Sequence, residues 1–257
     1  MGHPWRPPRV DPSGRRHYDR AVNESRPREF DLILFDADGT LFDFAKSERL
    51  AFDTCLRQFA GACDHGDAYL AYVEISAAFW LRLEQGTVSK AELRVGRWLE
   101  LGRRCGFEWS ATSISDAYLE ELSQHGHLIE GAVEVCNALR PAHTLGIVTN
   151  GFELVQTRRL AASPLRGLID FLVTSEAAGA AKPARAVFER ALELAGRELR
   201  PERVLMVGDS LSSDIAGGSA MGFRTCWYTP SPQPAPVQVV PDYVISDLRE
   251  LSAIALR

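Results

Sequence analysis

Asp36-Ala37-Asp38-Gly39-Thr40-Leu41 places two carboxylates two residues apart, directly after the apolar run Leu32-Ile33-Leu34-Phe35. If the run is a strand and Gly39 turns the chain so that both acids face one pocket, one can act as nucleophile and the other as proton carrier. An Asp-Gly turn without chemistry has the same local signature, so the pair takes its meaning from the rest of the chain. Thr149-Asn150-Gly151 ends the apolar run 145–148 and offers a hydroxyl and backbone N–H groups at a helix start, an anion site. Ala181-Lys182-Pro183 sets a cation just ahead of a helix, with Pro183 suited to the first helical position. Gly208-Asp209-Ser210-Leu211-Ser212-Ser213-Asp214 closes the run 204–207 with two acids five residues apart. Each of these is a common turn or helix start in isolation. The four in this order make a set of clustered acids with a cation and an anion site.

The elements that must carry them are legible in the hydrophobic pattern. The runs 32–35, 145–148, 171–173 and 204–207 are continuous and apolar, as in strands covered on both faces of a parallel sheet, and each stops at a polar residue. Helix-period segments lie between them at 131–140, 152–162 and 184–195, the last stopping at Gly196. A short strand at 243–245 and a helix from Asp247 finish the chain. This alternation predicts an α/β fold with a doubly wound parallel, Rossmann-like sheet, in which ligand crevices form at the carboxyl edge of the strands. Residues 47–127 break the alternation. Leu50, Cys55, Leu56 and Phe59 share one helical face, and similar stripes run through Tyr72, Ile75, Phe79 and Leu83, through Leu93, Trp98, Leu101 and Cys105, and through Ile114, Tyr118 and Leu122. The expected organisation is a leader at 1–28, a core at 29–46 and 128–257, and an α-helical cap at 47–127 inserted after the first strand.

Composition bounds the function class. At 257 residues, 46% hydrophobic and 25% charged, the chain has the make-up of a soluble globular protein, and no apolar stretch is long enough to span a bilayer. Residues 1–28 hold five of the fourteen prolines and seven arginines against Asp11, Asp19 and Glu24, and read as an unstructured leader. Their charge of +4, set against a net charge of -5, leaves -9 on residues 29–257, which argues against a nucleic-acid-coating body. Cys55, Cys63, Cys105, Cys136 and Cys226 form no CxxC pair and read as buried thiols in a reducing compartment, with the cytoplasm as the expected location. Lysines number three, Lys46, Lys90 and Lys182, against 26 arginines, which sets Lys182 apart as the lysine within a candidate motif.

The four motifs resemble those of the haloacid dehalogenase superfamily. Asp36 and Asp38 match its first motif, Thr149 its second, Lys182 its third, and Asp209 with Asp214 its fourth, and residues 47–127 match its small cap placed after the first motif. Runs such as 146–152, 204–209 and 213–218, with Thr225-Cys226-Trp227, are similar to those of the bacterial pyrimidine-type 5'-nucleotidases. The sequence departs from that subgroup at Ser175-Glu176-Ala177-Ala178-Gly179, where an alanine replaces an acid, and across much of the cap.

The resemblance implies a phosphatase. Asp36 would attack phosphorus and become an aspartyl phosphate, while Asp38 would protonate the leaving oxygen and later take a proton from water. Crowding by Asp36 and the phosphate would favour the protonated form of Asp38 in the first step. Mg²⁺ would be held by Asp36, the Asp38 carbonyl and Asp209, with Asp214 behind them. Thr149, Asn150 and Lys182 would hold phosphoryl oxygens, and Lys182 would also pair with Asp36. The expected substrate is a small phosphate monoester, most simply a pyrimidine-type nucleoside 5'-monophosphate, taken by a monomer or homodimer. A sugar-phosphate phosphatase or phosphomutase shares both acids and the cap type, and a catalytically silent binding protein is a third reading. Substrate choice should lie in the insertion, with Trp80 and Arg97 as candidates and Phe42 and Phe44 as possible walls. Tyr72 and Phe79 read as core, and His125 and His127 as solvated hinge residues without an acidic partner.

Overall fold

The computed structural model describes residues 29–60, 66–196, 198–231 and 239–256. The leader 1–28, Cys63 and most of the proline-rich segment near 230–241 lie outside the described residues.

Six parallel strands form one sheet: β1 (Leu32–Phe35), β2 (Thr144–Thr149), β3 (Phe171–Thr174), β4 (Val204–Gly208), β5 (Arg224–Tyr228) and β6 (Tyr243–Ile245), in the spatial order β3-β2-β1-β4-β5-β6. The chain winds from β1 out to β3, then returns to lay β4 on the other side of β1. The switch point therefore falls between β1 and β4, where an open α/β sheet has its crevice. Side chains alternate across β1. Ile33 and Phe35 join Leu145, Ile147, Leu205 and Val207 in one core, which also takes Ala132, Val135, Cys136 and Leu139 of α5 (Ala132–Leu139). Leu32 and Leu34 point the other way, to Val148, Val173, Val204 and Met206, under Val187, Phe188 and Ala191 of α8 (Arg185–Ala195). Both faces of the strand are thus dry, which is why its sequence is continuously apolar.

Four helices stand between β1 and α5: α1 (Phe44–Ala60), α2 (Gly66–Glu84), α3 (Lys90–Cys105) and α4 (Ala111–Leu122). They pack on one another around a third cluster that includes Phe52, Leu56, Tyr72, Trp98, Leu101, Ile114 and Tyr118, and Val155 of α6 (Glu153–Ala162) joins it. Tyr72 and Phe79 pack with this cluster, as their spacing implies. The chain enters and leaves the four helices along adjacent segments: the Asp43 N–H donates to the His127 carbonyl at 2.9 Å, and that of Ile129 to Leu41 at 3.0 Å. The first of these helices begins at Phe44. Among the described residues, no helix is long and apolar enough to cross a membrane.

Several local expectations need correction. The run Thr225-Cys226-Trp227 is part of β5, a strand not recognised because Arg224 and Thr225 interrupt its apolar pattern; the sheet pairs it with β4 and buries all but Arg224. Pro183 does not open a helix. The Lys182–Pro183 peptide is cis, and α8 starts at Arg185 with Ala184 as its cap. Cys105 is only half-buried, whereas Cys55, Cys136 and Cys226 are buried. His125 does have an acidic neighbour, Glu121, one helical turn back at 3.2 Å, and its ring stacks on that of His127. The remaining short helices are α7 (Ser175–Ala178), α9 (Ala216–Ala220) and α10 (Leu251–Ala255).

Candidate active site

Asp36 follows β1, Thr149 ends β2, and Asp209 follows β4, so three neighbouring strands deliver their last residues to one edge. The Asp36 N–H donates to the Val207 carbonyl at 2.8 Å, continuing the ladder one residue past the strand and fixing where that carboxylate emerges. Gly39 then turns the chain at φ +83, and a Cβ there would lie 2.4 Å from Asp209 Oδ2. Glycine is needed at that point both for the turn and for the close approach of the two acidic loops.

These loops form the floor of a cavity of about 300 Å³ lined by Asp36, Asp38, Thr149, Asn150, Lys182, Asp209 and Asp214. Its roof comes from the helical insertion, with Phe44, Trp80, Glu84, Arg97, Tyr118 and Leu122, and from Phe152 and Val155 at the start of α6. All seven expected core residues, and both cap candidates, therefore line one space.

Lys182 is the cation at the centre of the floor. It is 2% exposed, pairs with Asp36, lies 2.7 Å from Asp214 Oδ1, and donates to the Val148 carbonyl at 2.7 Å. Burial alone would pull its ammonium pKa down, but Asp214 and Asp36 outweigh burial and hold it above the ordinary lysine range. Asp36 is pushed well above the usual carboxylate range by burial; Lys182 opposes the shift, and Asp214 and Asp209 add to it. Asp209 is pushed up to about 7 by loss of water around it and by Asp214, against Lys182.

Three carboxylates against one lysine leave uncompensated negative charge, and carboxylate oxygens of Asp36, Asp209 and Asp214 lie within 4.8 Å of one another. That donor set, all oxygen and all acidic, fits a hard divalent cation such as Mg²⁺. Asp214 is also tied back: its Oδ2 accepts from the Ser210 N–H at 3.0 Å, across a π-helical turn at Leu211–Ile215.

The Asn150 side chain has a role the sequence did not show. Its side-chain amide is occupied by the Lys182 main chain, with Nδ2 donating to the carbonyl at 3.0 Å and Oδ1 accepting from the N–H at 2.7 Å. The side chain holds the lysine loop in place, and what Asn150 can offer an anion is its backbone N–H. Thr149 keeps its hydroxyl at the cavity, where Oγ1 accepts the Gly151 N–H at 3.0 Å.

Asp38 meets two residues that the sequence pattern did not single out. Gln156 Nε2 donates to its Oδ2 at 2.6 Å, and the guanidinium of Arg159 pairs with its Oδ1. The expectation for Asp38 considered crowding by Asp36 and the phosphate, and lacked these two donors. Their spacing puts Gln156 and Arg159 on one face of the helix that starts just after Thr149-Asn150-Gly151, but does not say which loop that face meets.

Lys90 was missed as well. It is the first residue of α3, whose start is fixed by a reciprocal capping box between Ser89 and Glu92. A lysine at a helix N-terminus opposes the helix dipole, so the helix gains nothing from it. Its ammonium instead donates to the carbonyls of Asn150 and Gly151 at 2.6 and 2.8 Å and to Ser175 Oγ at 2.8 Å, with Glu176 at 3.1 Å. Burial lowers its pKa, and Glu176 counters. At the other end of the same turn, Glu84 accepts from Ser212 Oγ at 2.9 Å. The turn between α2 and α3 is thus tied to the loops after both β2 and β4.

In the roof, Arg97 is 1% exposed, donates to Ser76 Oγ at 3.2 Å, and lies against the rings of Tyr118, Tyr72 and Phe152; among the described residues its Nε has no hydrogen-bond partner. Trp80 stands edge-on to Phe152, with ring centroids 6.0 Å apart. Glu48 of α1 is buried near Arg97 and is pushed up to about 7 by burial. Phe44 lines the cavity, whereas Phe42 is buried beneath Arg159 and is no wall.

Residues 30–222 match the family of haloacid dehalogenase-like hydrolases. The chain is 34% identical over 231 residues to the pyrimidine 5'-nucleotidase YjjG of Escherichia coli, covering 88% of this chain and 98% of that protein. It is 32% identical to the pyrimidine 5'-nucleotidase PynA of Streptococcus pneumoniae, over 86% of this chain and 93% of the relative. Among solved structures, the magnesium-bound HAD-hydrolase YfnB of Bacillus subtilis superposes with a TM-score of 0.83 at 30% identity, over 89% of this chain and 99% of that one.

Proposed function

The chain belongs to the haloacid dehalogenase-like hydrolases, and from that premise we propose that it hydrolyses a small phosphate monoester by way of an aspartyl phosphate, with a pyrimidine nucleoside 5'-monophosphate as preferred substrate. The observation that carries the reading is the cavity floor: Asp36 and Asp38 emerge side by side, with Lys182 on Asp36 and Thr149 beside them, under an aromatic roof.

A phosphate monoester resists attack because its oxygens are negative and its leaving alkoxide is poor. In the first step an Asp36 oxygen bonds to phosphorus, the bond from phosphorus to the sugar oxygen breaks, and the Asp38 proton goes to that oxygen. In the second, water gives its proton to Asp38 as its oxygen bonds to phosphorus. The acyl-phosphate P–O bond breaks, and inorganic phosphate and the Asp36 carboxylate are released. Thr149 Oγ1 and the Asn150 N–H donate to the phosphoryl oxygens through both steps, and Lys182 sets its positive charge beside them. Asp36, the Asp38 carbonyl, Asp209 and, behind them, Asp214 would hold Mg²⁺, which when bound neutralises phosphoryl charge.

The leaving group faces the roof. Trp80 and Phe152 offer apolar surface to a planar base, and Arg97 offers a guanidinium to a carbonyl on its edge. The likeness to two pyrimidine 5'-nucleotidases supports the substrate class. The test is a phosphate-release panel of pyrimidine and purine monophosphates, sugar phosphates and phosphoglycolate, with Mg²⁺. A preference for the pyrimidine monophosphates is expected. A dominant sugar phosphate would overturn the substrate class, and isomerisation without phosphate release would overturn the reaction.

A further inference from the structure

We propose that Gln156 and Arg159 of α6 are positioning residues for Asp38, holding the proton carrier in one orientation at the edge of the cavity. The inference deepens the phosphatase reading and rests on it.

Arg159 is wholly buried, lies over the ring of Phe42 at 4.8 Å, and spends one arm of its guanidinium on Asp38. Among the described residues, its Nε and Nη1 have no hydrogen-bond partner. A buried guanidinium with two dry nitrogens is a poor way to stabilise a fold, because an apolar side chain of similar length would fill the space without the desolvation cost. Gln156, 1% exposed, joins the two: its Oε1 accepts from Arg159 Nη2 at 3.1 Å, which fixes the amide so that Nε2 faces Asp38. Each Asp38 oxygen thus has its own donor on the α6 side, while the carboxylate keeps 23% of its surface on the cavity side. Gly151 makes room for this, since a Cβ there would fall 1.9 Å from Gln156 Nε2. The glycine after Thr149-Asn150 therefore lets one loop serve the phosphate site and admit the amide that steers Asp38.

A group that delivers a proton must sit at hydrogen-bond distance from its acceptor, about 2.6–3.2 Å between heavy atoms, and general acid–base catalysis of this kind is worth roughly 10² to 10⁴-fold. Its loss depends on the leaving group, which separates positioning from a structural role. An alkoxide needs the proton of Asp38 to depart, whereas p-nitrophenolate does not. Hydrolysis of the phosphoenzyme needs Asp38 in both cases.

The experiment measures kcat and KM for the full chain with Mg²⁺ on uridine 5'-monophosphate and p-nitrophenyl phosphate, for wild type, Arg159→Met, Arg159→Lys and Gln156→Leu, with folding checked by circular dichroism. Arg159→Met is expected to lose about 100-fold in kcat on the nucleotide with KM within about threefold. On p-nitrophenyl phosphate it is expected to release a burst of one nitrophenolate per site, followed by a slow steady state. Gln156→Leu follows the same pattern at roughly tenfold, and Arg159→Lys restores part of the nucleotide rate. Equal losses on both substrates without a burst, or no loss, overturn the proposal while leaving the phosphatase reading intact. If Arg159→Met does not fold, the burst and substrate ratio of Gln156→Leu decide. A wild type that releases phosphate from no substrate overturns the phosphatase reading and this proposal with it.

Discussion

The floor and the roof of the cavity use the same kinds of atoms under different rules. On the floor, Asp36, Asp38, Thr149, Asn150 and Asp209 sit at or just after the ends of buried strands, Lys182 and Asp214 lie farther along the loops, and charge pairing constrains them: Asp36 with Lys182, Lys182 with Asp214, and Asp38 with Arg159. In the roof, Trp80, Phe44 and Tyr118 are aromatic residues on helices whose other faces build an apolar cluster, and Arg97 is buried among rings. The floor is specified by chemistry and the roof by packing, so a substitution below should abolish a reaction, while one above should redirect it.

The sharpest way to break this contrast is Asp36→Asn. With p-nitrophenyl phosphate and Mg²⁺, activity should fall by several orders of magnitude, and a thermal melt should stay within a few degrees of wild type or rise, because the change removes a buried charge held against other acids. Appreciable turnover in that variant would remove the nucleophile from the floor. Lys182→Met should cost both properties. It leaves Asp36 and Asp214 buried without their cation, a loss of about 3–5 kcal/mol by urea denaturation, with a rate decrease of about 10² to 10³-fold.

The contrast also accounts for what could be read from the sequence. Asp36, Thr149 and Asp209 were legible because each ends a continuous apolar run, and such a run has few readings other than a buried strand. Lys182 was legible only as one member of a set. Gln156, Arg159 and Lys90 were not, since nothing in a helical polar residue says which loop it will reach; that depends on how α6 and α3 dock. The apolar stripes of the insertion identified its helices, and Tyr72 and Phe79 as part of its core. Trp80, expected to face the substrate, lines the cavity, and Phe79, expected in the core, packs with the helices. The strand β5 was missed because Arg224 and Thr225 break its apolar run, although the sheet buries the threonine.

The roof has its own titratable group. Glu48, 7% exposed, faces Arg97 of α3, the hydroxyls of Tyr69 on α2 and Tyr118 on α4, and at longer range Asp38. Its pKa is raised from 4.5 to about 7, with burial as the largest cause. The folded state therefore binds this proton more tightly than the unfolded chain. The resulting destabilisation is absent below pH 4.5, grows as pH rises, and is complete above about 7. Glu48→Gln, neutral throughout, should match wild type at pH 4.5 in urea denaturation and exceed it at pH 8 by up to about 3 kcal/mol. A variant less stable than wild type at pH 8 would show that Glu48 is held there as a charged partner of Arg97.

The smallest effects should come from the cavity-facing roof. Arg97→Met and Trp80→Ala are each expected to change the ratio of kcat/KM between uridine 5'-monophosphate and p-nitrophenyl phosphate by roughly tenfold, about 1.4 kcal/mol. Parallel losses on both substrates would place these residues with the floor and erase the distinction.

The central claim is that Asp36 captures phosphorus covalently. Acid quenching of the wild-type chain during turnover of p-nitrophenyl phosphate with Mg²⁺, followed by peptide mass spectrometry, tests it directly. The predicted result is one added phosphoryl group on the peptide bearing Asp36, absent from Asp36→Asn. A phosphoryl group on any other residue, or phosphate released at full rate by Asp36→Asn, would contradict it.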